Sequence, residues 1–486
     1  MSAGGRWQPS ARSLHGLPSS LTTLLSRWDG ALLDPRTADP RHRPQSFTAY
    51  RPGGLLLHDS GGAGAAAQAA LSQIFRVRDW IGDWVGTDQR RGVQLRPADA
   101  TAHGVDSWAV LGELRATAKP EVAAAVGLDH LMSTAEQVGG NPFAIGHGRI
   151  GLDGYGAGGY AGRGPVQFLG PPPPPVRPGR RPRVVVLDTG LGDHPWFRDD
   201  RAHTTMTMAD GTVVGPRVDP SAVGAAPVDG SGAIPNPLLG SLASHTGHGT
   251  FIAGLIRQSC PQADLVALAV MGADGIVPES TLTDALALIA ARQRQEPGWA
   301  DAVVLSLGYY AETGDDVAYS TRLAKILVEL SEGGVAVFCA AGNDASSRPS
   351  YPAAFALDPR FARPDVLPLV SVAALNPDGS VALFSNDGPW VVAEAPGVNL
   401  VSTAPISTDG SSRPAVRVAG AGRRPRAAID GDDFSSGFAS WSGTSFAAPV
   451  LAGRYLRALV EAGFPSNQQR RALVPLGRRS GPVRSM

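Results

Sequence analysis

Apolar residues in the second half of the chain follow two alternating patterns. Short continuous runs such as Val184–Val186 predict buried strands, and longer segments carry apolar residues at helical spacing, as Leu282, Leu286 and Ile289 do. The predicted strands cover residues 184–188, 264–271, 302–307, 335–341, 366–374 and 398–403, and the predicted helices cover 248–259, 280–294, 321–332 and 445–461. We therefore predict an α/β fold: a mostly parallel sheet with helices on both faces.

The first half of the chain has a different pattern. Between Phe47 and Met132, shorter periodic segments predict three strands and two helices, which would form a small α+β extension. The five consecutive prolines at Pro171–Pro175 favour an extended, stiff spacer. The predicted organisation is a disordered arm (1–46), a small α+β unit (47–132), a Gly/Pro-rich linker (133–183), an α/β domain (184–463) and a basic tail (464–486).

Composition and charge narrow the classes of partner. The 486 residues include 43 Lys+Arg and 43 Asp+Glu, and this balance argues against nucleic acid or an anionic membrane as the main partner. Apolar runs such as Val335–Ala341 are far shorter than the roughly 20 residues that span a bilayer. The only cysteines, Cys260 and Cys339, are too few for a disulfide framework or a structural zinc site. We expect two buried free thiols, with pairing left open.

The first residues of the chain bear on its location. Met1 to Pro9 include no continuous apolar segment of the kind that a secretory signal needs. As the sequence stands, we expect a cytoplasmic protein. A secreted protein stays open as the alternative, if the start codon is misassigned or export follows a non-classical route.

Three polar side chains stand where predicted strands or helices meet loops. Asp188 ends a buried strand, His248 begins a helix within Thr246–Thr250, and Ser445 begins another within Ser442–Pro449. Because ligands bind at the carboxyl edge of a parallel sheet, we expect these groups to converge there. Serine needs a base to become a nucleophile, histidine can take its proton, and a carboxylate can orient that histidine.

A fourth polar group follows the strand predicted at Val335–Ala341. The stretch Phe338-Cys-Ala-Ala-Gly-Asn343 ends in a side-chain amide. Together with the backbone N–H of Ser445, the amide of Asn343 could hold the oxyanion of a tetrahedral intermediate.

These motifs, in the order Asp188, His248 and Ser445, resemble the subtilisin-like serine peptidases, the subtilases. Ala340-Ala-Gly-Asn343 is similar to the oxyanion segment of that family. Ser306-Leu307-Gly308 is similar to its strand that pairs with substrate backbone. The resemblance covers roughly residues 183–463 and makes the predicted α/β domain a subtilisin-like peptidase domain.

The resemblance implies a serine endopeptidase whose substrates are proteins or peptides. It implies a triad of Asp188, His248 and Ser445, with Asn343 in the oxyanion hole. It also implies substrate-binding positions at Ser306, Leu307, Gly308 and Gly342. No organic cofactor is required. A structural calcium ion is left open, because Trp196-Phe197 follows His194-Pro195 where the family often carries an acidic calcium ligand.

Two alternatives and one further role stay open. The chain could be an inactive binding module with the same fold, or a metal-dependent hydrolase that uses His245 and His248. The second has poor spacing, since zinc histidines on a helix usually stand four residues apart. Residues 47–132 faintly resemble the inhibitory propeptide of the family, and a permanent accessory domain is the competing interpretation.

Overall fold

The computed structural model describes residues 25–33, 47–57, 62–85, 91–98, 104–133, 163–168, 179–216, 242–312, 321–411, 413–420 and 424–474, with single residues 22, 170, 171, 174, 238, 240 and 422. Most of the predicted arm (1–46), much of the predicted linker (133–183) and the end of the predicted tail (464–486) lie outside these residues. The chain divides into two compact units. One comprises residues 1–132, 278–284 and 309–326, and the other comprises residues 133–277, 285–308 and 327–486.

The first unit contains an antiparallel sheet with helices packed on it. Its strands are β1 (Ala31–Leu33), β2 (Thr48–Leu57), β3 (Trp80–Val85), β4 (Arg91–Pro97) and β5 (Val126–Ser133), and its helices are α1 (Ala63–Val77), α2 (Ser107–Thr117) and α3 (Pro120–Ala123). The strand order is β5-β2-β4-β3, and β1 pairs with β2. Leu71, Val93, Leu111 and Leu128 are fully buried in its core.

The sequence predicts three strands and two helices between Phe47 and Met132; the structure adds strand β3 and helix α3 there, and it places strand β1 within the arm that the sequence predicts to be disordered. Most side chains of β3 are half-buried or exposed, so its apolar residues form no clear alternation. Helix α2 begins at Ser107 because Asp106 caps it, accepting a hydrogen bond from the backbone N–H of Trp108 at 2.9 Å.

The second unit contains the α/β part of the chain. Two of the helices given below, α5 and α6, begin within 278–284 and 309–326, the segments that belong to the first unit. The strands are β6 (Gly164–Pro165), β7 (Arg183–Asp188), β8 (Ala202–His203), β9 (Met206–Thr207), β10 (Val213–Val214), β11 (Asp264–Ala269), β12 (Ile276–Pro278), β13 (Ala302–Leu305), β14 (Ala336–Ala340), β15 (Leu369–Leu375), β16 (Ala393–Pro396), β17 (Leu400–Thr403), β18 (Arg417–Val418), β19 (Arg426–Ala427) and β20 (Phe438–Trp441). The helices are α4 (His248–Ser259), α5 (Glu279–Gln295), α6 (Thr321–Glu332), α7 (Pro359–Ala362), α8 (Thr444–Glu461) and α9 (Asn467–Leu473).

Seven parallel strands form the central sheet of this unit, in the order β16-β15-β14-β13-β7-β11-β8. Val304 of β13 pairs with Val186 on one side and with Phe338 on the other. These side chains are essentially fully buried, which explains why the central strands read as continuous apolar runs. The α/β fold with a mostly parallel sheet, predicted from the sequence, is confirmed.

A smaller antiparallel sheet departs from the sequence prediction. The segment 398–403, predicted as a further strand of the α/β domain, forms β17 in the three-stranded order β17-β20-β6. Strand β6 lies within the predicted linker, 133–183. A two-residue strand leaves no periodicity in the sequence, and its position depends entirely on its partner β20.

The predicted tail also contains structure. Helix α9 lies within it, and the guanidinium of Arg470 is buried and donates to Asp301 Oδ1 at 3.1 Å and to the Gly334 carbonyl at 3.3 Å. A basic run predicts a solvated surface, but a distant carboxylate allows this arginine to be buried.

Cys260 and Cys339 are both free and buried, as expected from the sequence. Burial raises the pKa of Cys260 to about 12 and raises that of Cys339 further, so neither thiol ionises near neutral pH. Among the described helices, none has the length and apolar character needed to cross a membrane.

Candidate active site

Asp188 and His248 are in direct contact at the end of the central strand β7. His248 Nδ1 lies 2.8 Å from Asp188 Oδ1, and the same oxygen accepts the backbone N–H of Thr189 at 2.8 Å. Both side chains are almost completely buried. A neutral imidazole that donates its Nδ1 proton to a carboxylate presents an unprotonated Nε2, which is the form that can accept a proton.

The glycines beside His248 allow helix α4 to begin close to β7. Gly247 has a φ of +84°, a left-handed conformation that glycine adopts without strain. Gly249 donates its backbone N–H to Thr189 Oγ1 at 2.9 Å, and a Cβ at Gly249 would lie only 2.3 Å from the carbonyl oxygen of Gly190. The motif around His248 therefore has small residues because the helix start and the strand end touch there.

Aromatic rings surround the imidazole of His248. The ring of Trp441 lies edge-on with centroids 5.4 Å apart, that of Phe446 lies 5.2 Å away, and that of His245 lies 5.3 Å away. Trp441 and Phe446 themselves pack together at 5.1 Å. Because these side chains are buried, they restrict the rotation of the imidazole and keep it against Asp188.

Ser445 lies in the first turn of α8, next to Phe446, and is 4% exposed. The hydroxyl of Ser306, just after β13, donates to the backbone carbonyl of Ser445 at 2.8 Å. The neighbouring Thr444 holds Asn343, because its backbone N–H and its hydroxyl both donate to Asn343 Oδ1 at 2.9 Å. With the oxygen engaged, the Nδ2 amide of Asn343 faces the start of α8, 3.5 Å from the position of a Cβ on Gly443.

Gly342 and Asn386 shape the loop that carries Asn343. Gly342 has a φ of +107°, its N–H donates to Thr444 Oγ1 at 3.0 Å, and a Cβ there would lie 2.3 Å from Asn386 Nδ2. The fully buried Asn386 donates to the Ala341 carbonyl at 2.9 Å and accepts backbone N–H groups from Asp344 and Ser346 at 3.1 and 3.0 Å. These hydrogen bonds restrain the conformation of the loop.

The sequence reasoning missed Thr444 and Asn386. Thr444 is part of the motif around Ser445, and Asn386 follows a Phe-Ser pair in an apolar context. The available signal for Asn386 is a polar amide in an apolar segment. The sequence does not indicate which backbone groups that amide binds.

The segment Ser306–Gly308 already pairs with another part of the chain. Gly308 N donates to the Ser133 carbonyl at 2.8 Å, and Ser133 N donates to the Gly308 carbonyl at 2.9 Å. These two hydrogen bonds form an antiparallel bridge. The backbone at Gly308 is thus able to bind an extended peptide strand.

The residues of the metal-hydrolase alternative do not form a metal site. His245 Nδ1 lies 2.8 Å from Ser244 Oγ, whereas Nδ1 of His248 faces Asp188. Burial, followed by the charges of His248 and Arg163, lowers the pKa of His245 well below its usual value, so it is neutral. Within the described ranges, no group of three or more His, Cys, Asp or Glu side chains could hold a metal ion. This alternative therefore lacks support.

Comparison with known proteins covers mainly the second unit. A model described as "Subtilase family" matches residues 179–474. The thermostable alkaline protease of Halalkalibacterium halodurans is 26% identical over 300 residues, which cover 59% of this chain and 59% of that protein. Subtilisin BL of Lederbergia lenta is 29% identical over 298 residues, which cover 58% of this chain and 77% of that protein. A crystal structure of a cold adapted subtilisin-like serine proteinase matches with a TM-score of 0.37 and 20% identity, covering 60% of this chain and 79% of that one.

Proposed function

Because the chain belongs to the subtilase family, a family of serine peptidases, we propose that it is an endopeptidase with Asp188, His248 and Ser445 as its catalytic triad. The observation that carries this proposal is the 2.8 Å contact between Asp188 and the Nδ1 of His248, in a buried site. That contact gives the imidazole the tautomer that a general base requires.

In the proposed reaction, the hydroxyl oxygen of Ser445 attacks the carbonyl carbon of a peptide bond. Nε2 of His248 takes the hydroxyl proton and later passes it to the nitrogen of the departing amine. Asp188 stabilises the imidazolium that exists between these two transfers. Water then attacks the acyl-enzyme by the same route, with His248 again acting as the base.

The negative charge on the carbonyl oxygen needs donors that are in place before it forms. We propose Asn343 Nδ2 and the backbone N–H of Ser445 as these donors. Thr444 supports this assignment, because its two hydrogen bonds to Asn343 Oδ1 leave the amide N–H groups as the free face of the side chain toward α8. Such donors stabilise the transition state more than the ground state, since the charge develops only during attack.

Substrate would bind as an extended strand along Ser306, Leu307 and Gly308, with Gly342 as a further contact. The bridge between Ser133 and Gly308 supports this, because it shows that the backbone groups of Gly308 face a partner strand. Backbone pairing is largely independent of sequence, so this mode suits a peptidase that acts on varied proteins.

We further propose that residues 47–132 act as a propeptide. They form one compact unit with residues 278–284 and 309–326, and their last strand, β5, ends at the residue that pairs with Gly308. A residue that already pairs with Gly308 prevents substrate from pairing there until the chain is cut and the segment leaves. A permanent accessory domain is the competing role, and intact mass separates the two: an active, uncut chain would contradict the propeptide.

The activity itself is tested with a fluorophosphonate probe and a peptide substrate. We expect covalent labelling at Ser445 and hydrolysis that a chelator does not abolish. Ser445→Ala should lose both. Ser442→Ala is the matched control, because its hydroxyl accepts the Asn399 backbone N–H at 2.9 Å and lies outside the proposed triad. Absence of labelling in a folded wild-type protein would support the inactive binding module instead.

A further inference from the structure

Arg163 is a buried arginine that lies outside residues 179–474, the region matched by the family model. It is 2% exposed and directly precedes β6, which pairs with β20 through Gly164 opposite Ser440 and Pro165 opposite Ala439. The next residue of β20 is Trp441, beside His248. The backbone of Arg163 is thus held against the strand that leads to Ser445.

The guanidinium of Arg163 lies between two aromatic rings. It is 5.0 Å from the centroid of Trp441 and 5.0 Å from that of Phe434. Its Nη1 donates to the backbone carbonyl of Thr246, and its Nη2 donates to that of Ala243 at 3.4 Å. A buried cation is costly unless such partners receive it, so this set of contacts defines one position for the side chain.

The ring contact with Trp441 and the hydrogen bond to the Thr246 carbonyl both involve neighbours of His248. Trp441 stands edge-on to the imidazole, and the Thr246 carbonyl belongs to the turn that precedes helix α4. Within that turn, His248 N donates to the carbonyl of His245 at 3.0 Å. Arg163 therefore holds the aromatic wall of the imidazole and the backbone that carries it.

We propose that Arg163 is a positioning residue for His248, acting through Trp441 and through the carbonyls of the turn before α4. This inference rests on the proposed peptidase function. Among the described residues, Asp188 contacts the imidazole, His245 packs on it, and Arg163 packs on Trp441, whose ring stands edge-on to it. Of these, Asp188 favours the protonated imidazole, whereas the cation of Arg163 opposes it.

The test compares Arg163→Met with the wild-type protein. We expect kcat to fall about ten- to a hundredfold, since a displaced catalytic group costs rate far more than binding. KM should change by less than about threefold, because the contacts of Arg163 described above are with Ala243, Thr246, Phe434 and Trp441, which are not among the proposed substrate-binding residues. The acid limb of kcat/KM should move to higher pH, since a cation that opposes imidazole protonation is removed.

Arg180→Met is the matched control. The guanidinium of Arg180 also packs on an aromatic ring, that of Phe464 at 4.1 Å, and also donates to a backbone carbonyl, that of Gly298 at 3.0 Å. It touches nothing in the proposed triad. We expect this variant to lose some thermal stability while keeping the wild-type kcat and pH profile.

Two further measurements cover the remaining outcomes. If Arg163→Met does not fold, Arg163→Lys decides, because lysine keeps the charge but lacks the planar fork that spans both carbonyls. A reduced kcat at unchanged KM supports the proposal, and wild-type kcat and acid limb in a folded variant overturn it.

If the wild-type protein has no activity, the proposed function fails. NMR titration of His248 in wild type and Arg163→Met then tests positioning alone: a higher titration midpoint supports it, and an unchanged one overturns it.

Discussion

Ser133 and Gly308 exchange two backbone hydrogen bonds, at 2.9 and 2.8 Å, in an antiparallel bridge. Ser306 lies two residues before Gly308, and its hydroxyl binds the carbonyl of Ser445. The bridge to Ser133 and the hydrogen bond to Ser445 thus both come from the segment Ser306–Gly308.

We predict that the protein cuts itself after Ser133 and before Arg163. Ser133 occupies the position beside Gly308 that the proposed substrate would take, and Arg163 contacts the turn and the ring that flank His248, so the expected cut lies between them. Terminal sequencing and intact mass of the purified protein measure the position. Ser445→Ala should stay full length. A new terminus beyond Arg163 in active enzyme would contradict this prediction.

Removing the amide of Asn343 should slow catalysis with little effect on binding. We expect Asn343→Ala to lower kcat by about 10²–10³, the size known for the loss of the equivalent donor in subtilisin, with KM nearly unchanged. Steady-state kinetics measure both constants. Asn376→Ala is the control, because that half-buried amide hydrogen-bonds locally, to Ser380 Oγ at 2.9 Å and to the Val381 carbonyl at 3.5 Å. An equal fall in both variants would point to a general loss of structure.

His130 lies between two carboxylates in the first unit. Its Nδ1 is 2.6 Å from Glu279 Oε2 and its Nε2 is 2.9 Å from Glu312 Oε2, while the ring stacks on Tyr309. Arg115 also binds Glu312, at 3.1 Å. Burial lowers the pKa of His130, but both carboxylates outweigh it and raise that pKa from 6.5 to about 10. Burial raises the pKa of Glu312, but His130 and Arg115 lower it from 4.5 to about 2.

These shifts predict a stability maximum between about pH 4.5 and 6.5 for this unit. The contribution of His130 is complete below pH 6.5 and is lost as pH rises through about 10. The contribution of Glu312 is complete above pH 4.5 and is lost as pH falls through about 2. Urea unfolding of the full-length Ser445→Ala chain at a series of pH values measures the free energy of unfolding and so locates the maximum.

His130→Gln should flatten the decline of stability above pH 6.5. The control is His203→Gln, which changes an exposed histidine. That variant should keep the slope of the parent chain. A His130→Gln chain whose stability still falls steeply between pH 7 and 10 would show that another group is responsible.

Gly249→Ala should impair both stability and activity. The added Cβ would lie 2.3 Å from the Gly190 carbonyl oxygen, so the start of α4 must move away from β7. We expect a loss of about 1–3 kcal/mol in the free energy of unfolding, with a lower kcat because His248 moves with the helix. Denaturant unfolding and kinetics measure the two effects. Gly422→Ala, with nothing within 4 Å of its added Cβ, should behave like the parent.

Local patterns in the sequence were sufficient for the α/β fold and for locating the candidate residues. Buried parallel strands leave continuous apolar runs, and the residues at strand ends and helix starts stand in short motifs that need small neighbours. Asp188, His248, Asn343 and Ser445 could therefore be named before their surroundings were known. The structure then places Asp188 against His248 and turns Asn343 toward the start of α8.

Tertiary structure decided the contacts that hold these residues. Arg163 reaches the Thr246 carbonyl across 83 positions of sequence, and Asn386 reaches Ala341 across 45. The two-residue strand β6 exists only through its pairing with β20. Such contacts are made when distant segments close together, and closure depends on the whole core rather than on the spacing of apolar residues within one segment. Local sequence motifs therefore identify the candidate catalytic residues, whereas long-range packing sets the orientation of their side chains.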